Sequence, residues 1–172
     1  MLPVLTPSQM AAVDAAAPEP IDELIDRAGR AVARVALDML GGSYGRVVVV
    51  IAGKGNNGAD GRVAAAVLRR RGVQVKIFDA AALPATLPSA CLVIDAAYGT
   101  GFRGEWLAPD VGTTPVLAVD VPSGVDALTG VASGHVLRAD CTVTFQAMKT
   151  GLLFGDGALL ALLPDPVVCY EH

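Results

Sequence analysis

Solid apolar runs, separated by stretches of helix length, constrain the fold of this 172-residue chain more than any other feature. The run at 46–52 is rich in β-branched residues and lacks polar alternation, as expected for a strand buried on both faces. Further strands are predicted at 73–78, 91–94, 115–119 and 140–145, with a candidate edge strand at 166–170. Strands of this kind that alternate with helical segments predict a parallel sheet covered by helices.

The predicted architecture is an α/β fold with a doubly wound, mainly parallel sheet in a three-layer αβα Rossmann-like sandwich. Helices are predicted at 10–17, 21–40 and 60–71. The first two form an N-terminal helical arm over 1–40, and the Rossmann-like core spans 46–172. We interpret residues 1–172 as one domain, because a chain of this length can bury a core of its own.

Charge and hydropathy argue against several classes of protein. Apolar residues make up 53% of the chain and charged residues 17%, which is the opposite of a disordered composition. The longest aliphatic runs fall far short of the roughly 20 residues of a membrane span, and the net charge of −4 argues against a nucleic acid partner. The first basic residue is Arg27, and Cys91, Cys141 and Cys169 form no paired motif. We therefore expect a cytoplasmic protein with reduced thiols.

The polar residues that carry chemistry gather directly after the predicted strands. Four polar segments that contain glycine begin where strands end, at 53–61, 95–106, 120–130 and 146–152. In an open parallel sheet the carboxyl ends of the strands meet at one edge, and ligands bind in the crevice beyond them. The sequence therefore predicts a binding site at this edge.

The first of these segments supports two interpretations. The stretch GKGNNG at 53–58 satisfies G-x-G-x-x-G between a strand and a helix, and Asp79 ends the next strand. This is the dinucleotide fingerprint of an NAD-dependent dehydrogenase, with Asp79 on the ribose. Asn56, Asn57 and Asp60, however, add oxygen atoms that suit a cation or a sugar. Their alternative role is turn and cap chemistry.

Further residues at this edge have the chemistry of a cation site and of a reactive site. If the strand order is 2-1-3-4-5, Asn57, Asp95 and Ser123 converge, and one carboxylate with neutral oxygens suits K⁺ or Na⁺. Asp120 follows the fourth strand and fits a general base or a hydroxyl-binding group, or else an Asx-turn. Lys149 follows the fifth strand and is a second candidate cationic side chain at the same edge, or else a solvated lysine.

The segment at 99–105 combines three glycines with Arg103. Successive backbone amides there could form an anion-binding nest, and the guanidinium could bind a phosphate with two hydrogen bonds. The alternative is a plain surface loop with an exposed arginine.

Four motifs together resemble one family. VVVVIAGKGNNGADG, VIDAAYGTGFRG, AVDVPSGVDALTG and ADCTVTFQAMKTGL occur in the order and spacing of the NAD(P)H-hydrate epimerase family, the YjeF-type N-terminal domain. The leading helical segment also resembles the arm of that family, so that the resemblance covers about 9–153. The second glycine that usually follows Asn-Asn is Ala59 here.

The resemblance implies an isomerase that interconverts the R and S C6-hydrates of NADH and NADPH. It implies that Asn57, Asp95 and Ser123 hold one K⁺ per subunit and that Asp120 lies at the reactive ring. It further implies a Rossmann-like fold, a homodimer in many members, and a separate or fused ADP- or ATP-dependent dehydratase as functional partner. The residues implied to bind the hydrated nucleotide are Asn56, Asn57, Gly58, Ala59, Asp60, Gly99, Thr100, Gly101, Phe102, Arg103, Gly104 and Glu105.

Our mechanistic hypothesis assigns catalysis to Asp120 and Lys149. Asp120 hydrogen-bonds the departing and returning water and stabilises the developing positive charge. Lys149 orients the same water or pairs with Asp120. Two competing functions are a non-catalytic module that binds a nucleotide or ADP-ribose, and an NAD-dependent dehydrogenase.

Overall fold

The computed structural model of the chain describes residues 3–160 and 167–169. The helices are α1 (Pro7–Ala16), α2 (Ile21–Leu40), α3 (Asn56–Arg70) and α4 (Gly155–Leu160), and a single 3₁₀ turn covers Thr150–Leu152. The strands are β1 (Val4–Leu5), β2 (Val47–Ala52), β3 (Gln74–Asp79), β4 (Leu92–Ala96), β5 (Trp106–Leu107), β6 (Val116–Val119), β7 (Gly134–His135), β8 (Cys141–Phe145), β9 (Met148–Lys149) and β10 (Val167–Cys169).

A six-stranded parallel sheet forms the centre of the molecule, in the order β10-β8-β6-β4-β2-β3. Numbered as predicted, this is the order 2-1-3-4-5 with the expected sixth strand at the edge. In the register, Val50 lies opposite Ile77 on one side and Ile94 on the other. The predicted α/β class and sheet topology are confirmed.

The two faces of the sheet are covered differently. On one face, α2 and α3 pack on alternate residues of β2 and β4, with Val32, Ala36 and Leu68 fully buried between helix and sheet. On the other face, connecting segments contribute Leu87, Trp106 and Leu137 to a second core cluster. The second outer layer of the sandwich is thus built largely of loops with the short β5–β7 pair.

Helix boundaries differ from the prediction at two N-termini. The first helix begins at Pro7, because Thr6 and Gln9 form a reciprocal capping box. The third begins at Asn56 rather than at 60, with Gly55 as its N-cap residue in extended conformation. The segment 56–60 is therefore the first turn of a helix and not a loop. The 21–40 helix has the predicted bounds and ends at Gly41, whose φ is +64°.

Two further contacts hold the N-terminal arm against the core, besides the packing of α2 on the sheet. Strand β1 pairs in parallel with β9, so that Leu5 lies opposite Lys149. Helix α2 crosses α3 at Gly29, where a Cβ atom would lie 2.5 Å from Cβ of Val63. None of the helices in the described ranges is long and apolar enough to cross a membrane.

Candidate active site

A cavity of about 960 Å³ opens beyond the carboxyl ends of β2, β4, β6 and β8. The sheet places the start of α3, the loop after β4 and the residues after β6 and β8 around it. This is the edge at which a ligand site was predicted. The predicted site residues that line it are Asn56, Asn57, Asp60, Gly99, Thr100, Gly101, Phe102, Arg103, Asp120 and Lys149.

The arm supplies a wall of the cavity that sequence reasoning missed. Along α2, Ile21, Leu24, Ile25 and Ala28 face the cavity, and Ile21 is 52% exposed. These residues have the spacing i, i+3, i+4 and i+7, and the same face of the helix continues with the core residues Val32, Val35 and Ala36. The available signal was an apolar stripe along the whole of α2, longer than the part that packs in the core. The further lining residues from the arm are Met10, Asp14, Ala17, Glu19 and Arg27.

Four residues expected to bind the nucleotide lie outside the lining of the cavity. Gly58 is buried against the carbonyl of Gly53, where a Cβ would come within 1.9 Å of the oxygen, so its role is to let α3 start close to the strand end. Ala59 lies in the same helical turn and does not line the cavity. Gly104 and Glu105 are exposed farther along the loop.

An ion pair between Lys149 and Asp120 lies on the cavity wall. The Lys149 side chain is almost completely buried and its Nζ contacts Asp120 Oδ1. The same Nζ donates to Thr144 Oγ1 and to the carbonyl of Phe145, both at 3.0 Å. An ammonium group has three N–H donors, and these contacts use all three. Lys149 is thus a buried member of β9, and the alternative of a solvated lysine is wrong.

Thr144 is a functional residue that sequence reasoning did not select. Its hydroxyl lies 3.2 Å from Asp120 Oδ1 and accepts from Lys149, so it joins the two charged groups. It is fully buried in β8. The signal that could have identified it was a hydroxyl near the carboxyl end of a buried strand, although Thr142 in the same strand shows that this signal does not single out one residue.

The backbone at the ends of β6 and β8 is strained in the same way. Asp120 has φ of +68° and Gln146 has φ of +60°, and both line the cavity. Each is the centre of a tight turn, closed by the Val121 amide on the Val119 carbonyl and by the Ala147 amide on the Phe145 carbonyl. Turns of this handedness are rare and costly for residues with a side chain, and such strain concentrates at functional sites.

Asp60 is a buried carboxyl on the first turns of α3, and its side chain faces the cavity. It is 7% exposed and accepts no hydrogen bond from the described residues. Burial, with a smaller contribution from the negative charge of Asp120, raises its pKa to about 8. The interpretation of Asp60 as a helix cap is wrong, because the cap position is held by Gly55. Near neutral pH the group is largely a neutral carboxylic acid.

A third carboxyl reaches the same cavity from the arm. Asp14 on α1 is exposed at its outer side, and partial burial raises its pKa, while the charge of Lys149 lowers it and that of Asp120 raises it. The coupling to both partners indicates that docking of α1 brings Asp14 near the ion pair.

The predicted cation ligands converge on the peptide group of Tyr98. Asp95 lies within β4, not after it, and is completely buried. Its oxygens accept from the Ser123 hydroxyl at 2.6 Å and the Ser123 amide at 2.9 Å. The Tyr98 carbonyl lies 3.0 Å from Asn57 Nδ2 and 3.2 Å from Ser123 Oγ. Burial raises the pKa of Asp95, which these hydrogen bonds partly offset.

This donor set fits a monovalent cation. Within the described part of the chain the hydrogen-bond donors to Asp95 are all neutral, namely the amide and hydroxyl of Ser123 and the amide of Ala97. A buried carboxylate without a charged partner is costly, and a cation beside it would offset that cost. The neighbouring oxygens are those of a hydroxyl, a carboxamide and a backbone carbonyl, which hard cations bind.

Aromatic rings form the side of the cavity after β4. The Tyr98 and Phe102 rings lie 4.3 Å apart and both line the cavity, with Trp106 edge-on behind Tyr98 at 6.1 Å. Arg103 is exposed at the rim and donates to the carbonyl of Phe102. A flat, apolar surface next to a guanidinium suits a heteroaromatic ring attached to a phosphate.

The dehydrogenase interpretation has no counterpart at this site. Asp79 lies outside the cavity and accepts from the amide of Ala81 within its own turn. Gly53, like Gly58, meets the protein's own backbone, because a Cβ there would lie 1.9 Å from the Ala97 carbonyl oxygen. Only Gly55 of the three fingerprint glycines lines the cavity.

Comparison with known proteins identifies relatives over most of the chain. It is 36% identical over 175 residues to the NAD(P)H-hydrate epimerase of Leuconostoc mesenteroides subsp. mesenteroides, covering 83% of this chain and 77% of the relative. It is 37% identical over 146 residues to that of Limosilactobacillus fermentum, covering 66% and 70%. The bifunctional NAD(P)H-hydrate repair enzyme Nnr of Thermanaerovibrio acidaminovorans is 34% identical, and the match covers 76% of this chain but 33% of that protein.

The fold has a solved counterpart. The crystal structure of yeast ynu0 (YNL200c) superposes with a TM-score of 0.72 at 22% identity, over 87% of this chain and 83% of the yeast chain. The model of the family described as YjeF-related protein N-terminus matches residues 21–85 and 78–151. With that match and a relative 36% identical over 77% of the relative's length, the chain belongs to the family of YjeF-related protein N-termini.

Proposed function

We propose that this protein is an NAD(P)H-hydrate epimerase, an isomerase that interconverts the R and S C6-hydrates of NADH and NADPH. The observation that carries the proposal is the ion pair between the buried Lys149 and the partly exposed Asp120 on the wall of a cavity of about 960 Å³. Family membership and the activity named for its relatives agree with it.

The chemistry of the hydrate sets what the site has to do. Its C6 carries a hydroxyl group and is bonded to the ring nitrogen N1, whose lone pair can expel the hydroxyl. The product is a planar iminium cation, and water that returns to the opposite face inverts the configuration. A fixed negative charge beside the ring lowers the free energy of the transition state that leads to this cation.

Asp120 is the group we assign to that charge. Its carboxylate stabilises the cation and accepts a hydrogen bond from the returning water. Lys149 and Thr144 hold one carboxylate oxygen in place, so that the carboxylate is oriented before substrate binds. The strained backbone at Asp120 keeps its side chain at the end of β6.

The nucleotide is bound, in this proposal, by the two segments that flank the reactive pair. Asn56, Asn57 and Asp60 begin α3 on one side, and 99–103 form the loop on the other. Tyr98 and Phe102 present flat ring surfaces, and Arg103 lies at the rim where a phosphate would be exposed. Gly58, Ala59, Gly104 and Glu105 shape the backbone around these contacts.

We assign K⁺ to Asn57, Asp95 and Ser123. When bound, the ion supplies positive charge beside the buried Asp95 and takes no part in bond making or breaking. Asp95, Ser123 and Asn57 all contact the Tyr98 region, so their fixed arrangement holds the loop after β4 against the start of α3.

The proposal extends to partners and location. A dehydratase specific for the S hydrate would consume the product, as the bifunctional relatives suggest by name. We infer a homodimer by analogy with the family. Cys91 and Cys141 are free thiols, which fits a reducing compartment such as the cytoplasm.

An assay of R-to-S conversion tests the function. Purified protein is given the R hydrate of NADH, with an S-specific dehydratase as coupling enzyme, in buffers that contain K⁺ or a bulky organic cation. We expect conversion that K⁺ accelerates. Asp120→Asn should lower kcat by roughly 100-fold or more, because it removes the fixed charge but keeps the shape.

The matched control is Asp38→Asn, the same chemical change on the exposed far end of α2. It should leave the rate unchanged. Wild-type protein that fails to convert either hydrate contradicts the function, and an Asp120→Asn variant with the wild-type rate contradicts the assignment of Asp120.

A further inference from the structure

The reaction proposed above needs a proton donor, because hydroxide is a poor leaving group. Protonation of the C6 hydroxyl as its bond breaks lets it depart as water. A donor must lie on the cavity wall, carry a proton near neutral pH and have that proton free for the substrate.

The ion pair does not meet these conditions. All three N–H donors of Lys149 are used by Asp120, Thr144 and Phe145. Asp120 is the acceptor in its contacts with the ammonium group of Lys149 and the hydroxyl of Thr144, so it is suited to accept a proton rather than to give one.

Asp60 meets all three. Its side chain is more than nine-tenths buried, lines the cavity and has no hydrogen-bond partner among the described residues. Its pKa of about 8, raised first by burial and then by the charge of Asp120, leaves the carboxyl protonated near neutral pH. The other charged groups that line the cavity are Asp14 on α1, Glu19 just before α2, Arg27 on α2, Arg103 after β4 and Lys149 on β9.

We propose that Asp60 is a catalytic residue, the acid that protonates the departing C6 hydroxyl, and that Asp60 and Asp120 work as an acid and base pair. This inference rests on the proposed function. It assigns different roles to two carboxyl groups of one cavity, with the difference set by their surroundings. Asp120 contacts the ammonium group of Lys149, and Asp60 forms no ion pair with any residue that the structure describes.

The reaction consists of loss of the hydroxyl as water followed by addition of water to the other face. The C6–O bond breaks with its electron pair on oxygen, the Asp60 proton joins that oxygen, and the N1 lone pair forms the C6=N1 bond. Water then bonds to C6 from the opposite face, one of its protons passes to Asp120, and the C6=N1 pair returns to N1. Exchange with water in the cavity returns the proton from Asp120 to Asp60, and the S-to-R direction uses the same steps in reverse.

The pH dependence of kcat tests the assignment. For the wild type, kcat should fall as pH rises through about 8, tenfold per pH unit beyond it, since only protonated Asp60 is active. Asp60→Asn should lower kcat by roughly 100-fold or more, with KM changed less than about threefold, and should abolish the alkaline fall. Asp60→Glu should restore part of kcat together with an alkaline fall.

Two comparison variants make the test specific. Asp38→Asn should behave as the wild type at every pH. Asp14→Asn should keep the alkaline fall, and its loss in that variant instead of in Asp60→Asn would overturn the assignment. Wild-type kcat and an intact alkaline fall in Asp60→Asn would overturn it as well. Absence of wild-type conversion would overturn the proposed function itself, so the two failures are distinguishable.

A measurement on the wild type covers the case in which Asp60→Asn does not fold. The carboxyl carbon of Asp60, followed by carbon-13 NMR in protein with labelled aspartate, should titrate near pH 8. Titration in the ordinary range of aspartate, near 3.8, would overturn the proposal.

Discussion

A carboxyl group buried without a hydrogen-bond donor costs the folded state free energy, and Asp60 is such a group. The unfolded chain loses the Asp60 proton near pH 3.8, while the folded chain keeps it up to about 8. Between these values the folded state binds one more proton than the unfolded state. Asp60 therefore lowers the free energy of unfolding as pH rises from 3.8 to about 8. Above about pH 8 it causes no further fall.

Asp60→Asn removes this dependence. The free energy of unfolding of the variant, relative to the wild type, should rise by roughly 1–3 kcal/mol between about pH 5 and pH 8. Urea unfolding of both proteins at several pH values measures it, with Asp38→Asn as the control that shows no such trend. A difference that is constant with pH would mean that Asp60 is ionised in the folded protein throughout.

At the scale of single residues, the position of a polar residue directly after a strand identified members of the site. The side-chain contacts within the site could not be predicted. Asp120 and Lys149 could be selected because both follow strands whose ends share an edge. Their direct contact, and the Thr144 hydroxyl that joins them, depend on side-chain directions at the start of the tight turns. Asp14 could not be selected, because only the docking of α1 brings it to the cavity.

At the scale of elements, the turn between β2 and α3 uses glycine for two different reasons, close backbone packing at one position and access to the cavity at another. Gly53→Ala places a methyl group against the Ala97 carbonyl and should cost roughly 3 kcal/mol of stability. Gly55 has open space around it and lines the cavity, so that Gly55→Ala should cost about 1 kcal/mol or less and should mainly raise KM.

Thermal or urea unfolding of both variants, with KM for the hydrate, separates these effects. If the two variants lose equal stability, the close approach of the Ala97 carbonyl is not the reason that position 53 is glycine. Unchanged KM in Gly55→Ala would remove that glycine from the binding surface.

The elements themselves were largely predictable because a buried parallel strand leaves an unmistakable run of apolar residues. The six strands of the central sheet agree with the prediction to within one or two residues, and α2 agrees at both ends. The two-residue strands β1, β5, β7 and β9 and the short helix α4 were not predicted. The start of α3 differed by four residues, because Asn-Asn-Gly was interpreted as turn chemistry while the chain uses it for a first helical turn. The second outer layer of connecting segments lacks any periodic pattern and could not be predicted.

For the molecule as a whole, α2 has two functions at its two ends. Its C-terminal half packs in the core, where Leu40 is 5% exposed, and its N-terminal half lines the cavity through Leu24. Leu40→Ala should lower the free energy of unfolding by roughly 2–5 kcal/mol. Leu24→Ala should lower it by about 1 kcal/mol and weaken binding of the S hydrate about tenfold.

Urea unfolding and calorimetric titration with the S hydrate of NADH measure the two effects separately. If Leu24→Ala binds the hydrate as tightly as the wild type, the arm is a structural brace and not a wall of the binding site. The arm would then belong only to the core that it covers.

In the proposed reaction the C6 hydroxyl leaves as water, and water returns to the other face of the ring. The most direct test is conversion of the R hydrate by the wild-type protein in water enriched in heavy oxygen, with mass spectrometry of the recovered hydrates. We expect the S hydrate to carry solvent oxygen at C6, and we expect Asp120→Asn to slow label uptake and inversion by the same factor. Inversion without uptake of solvent oxygen would show that the C6–O bond does not break.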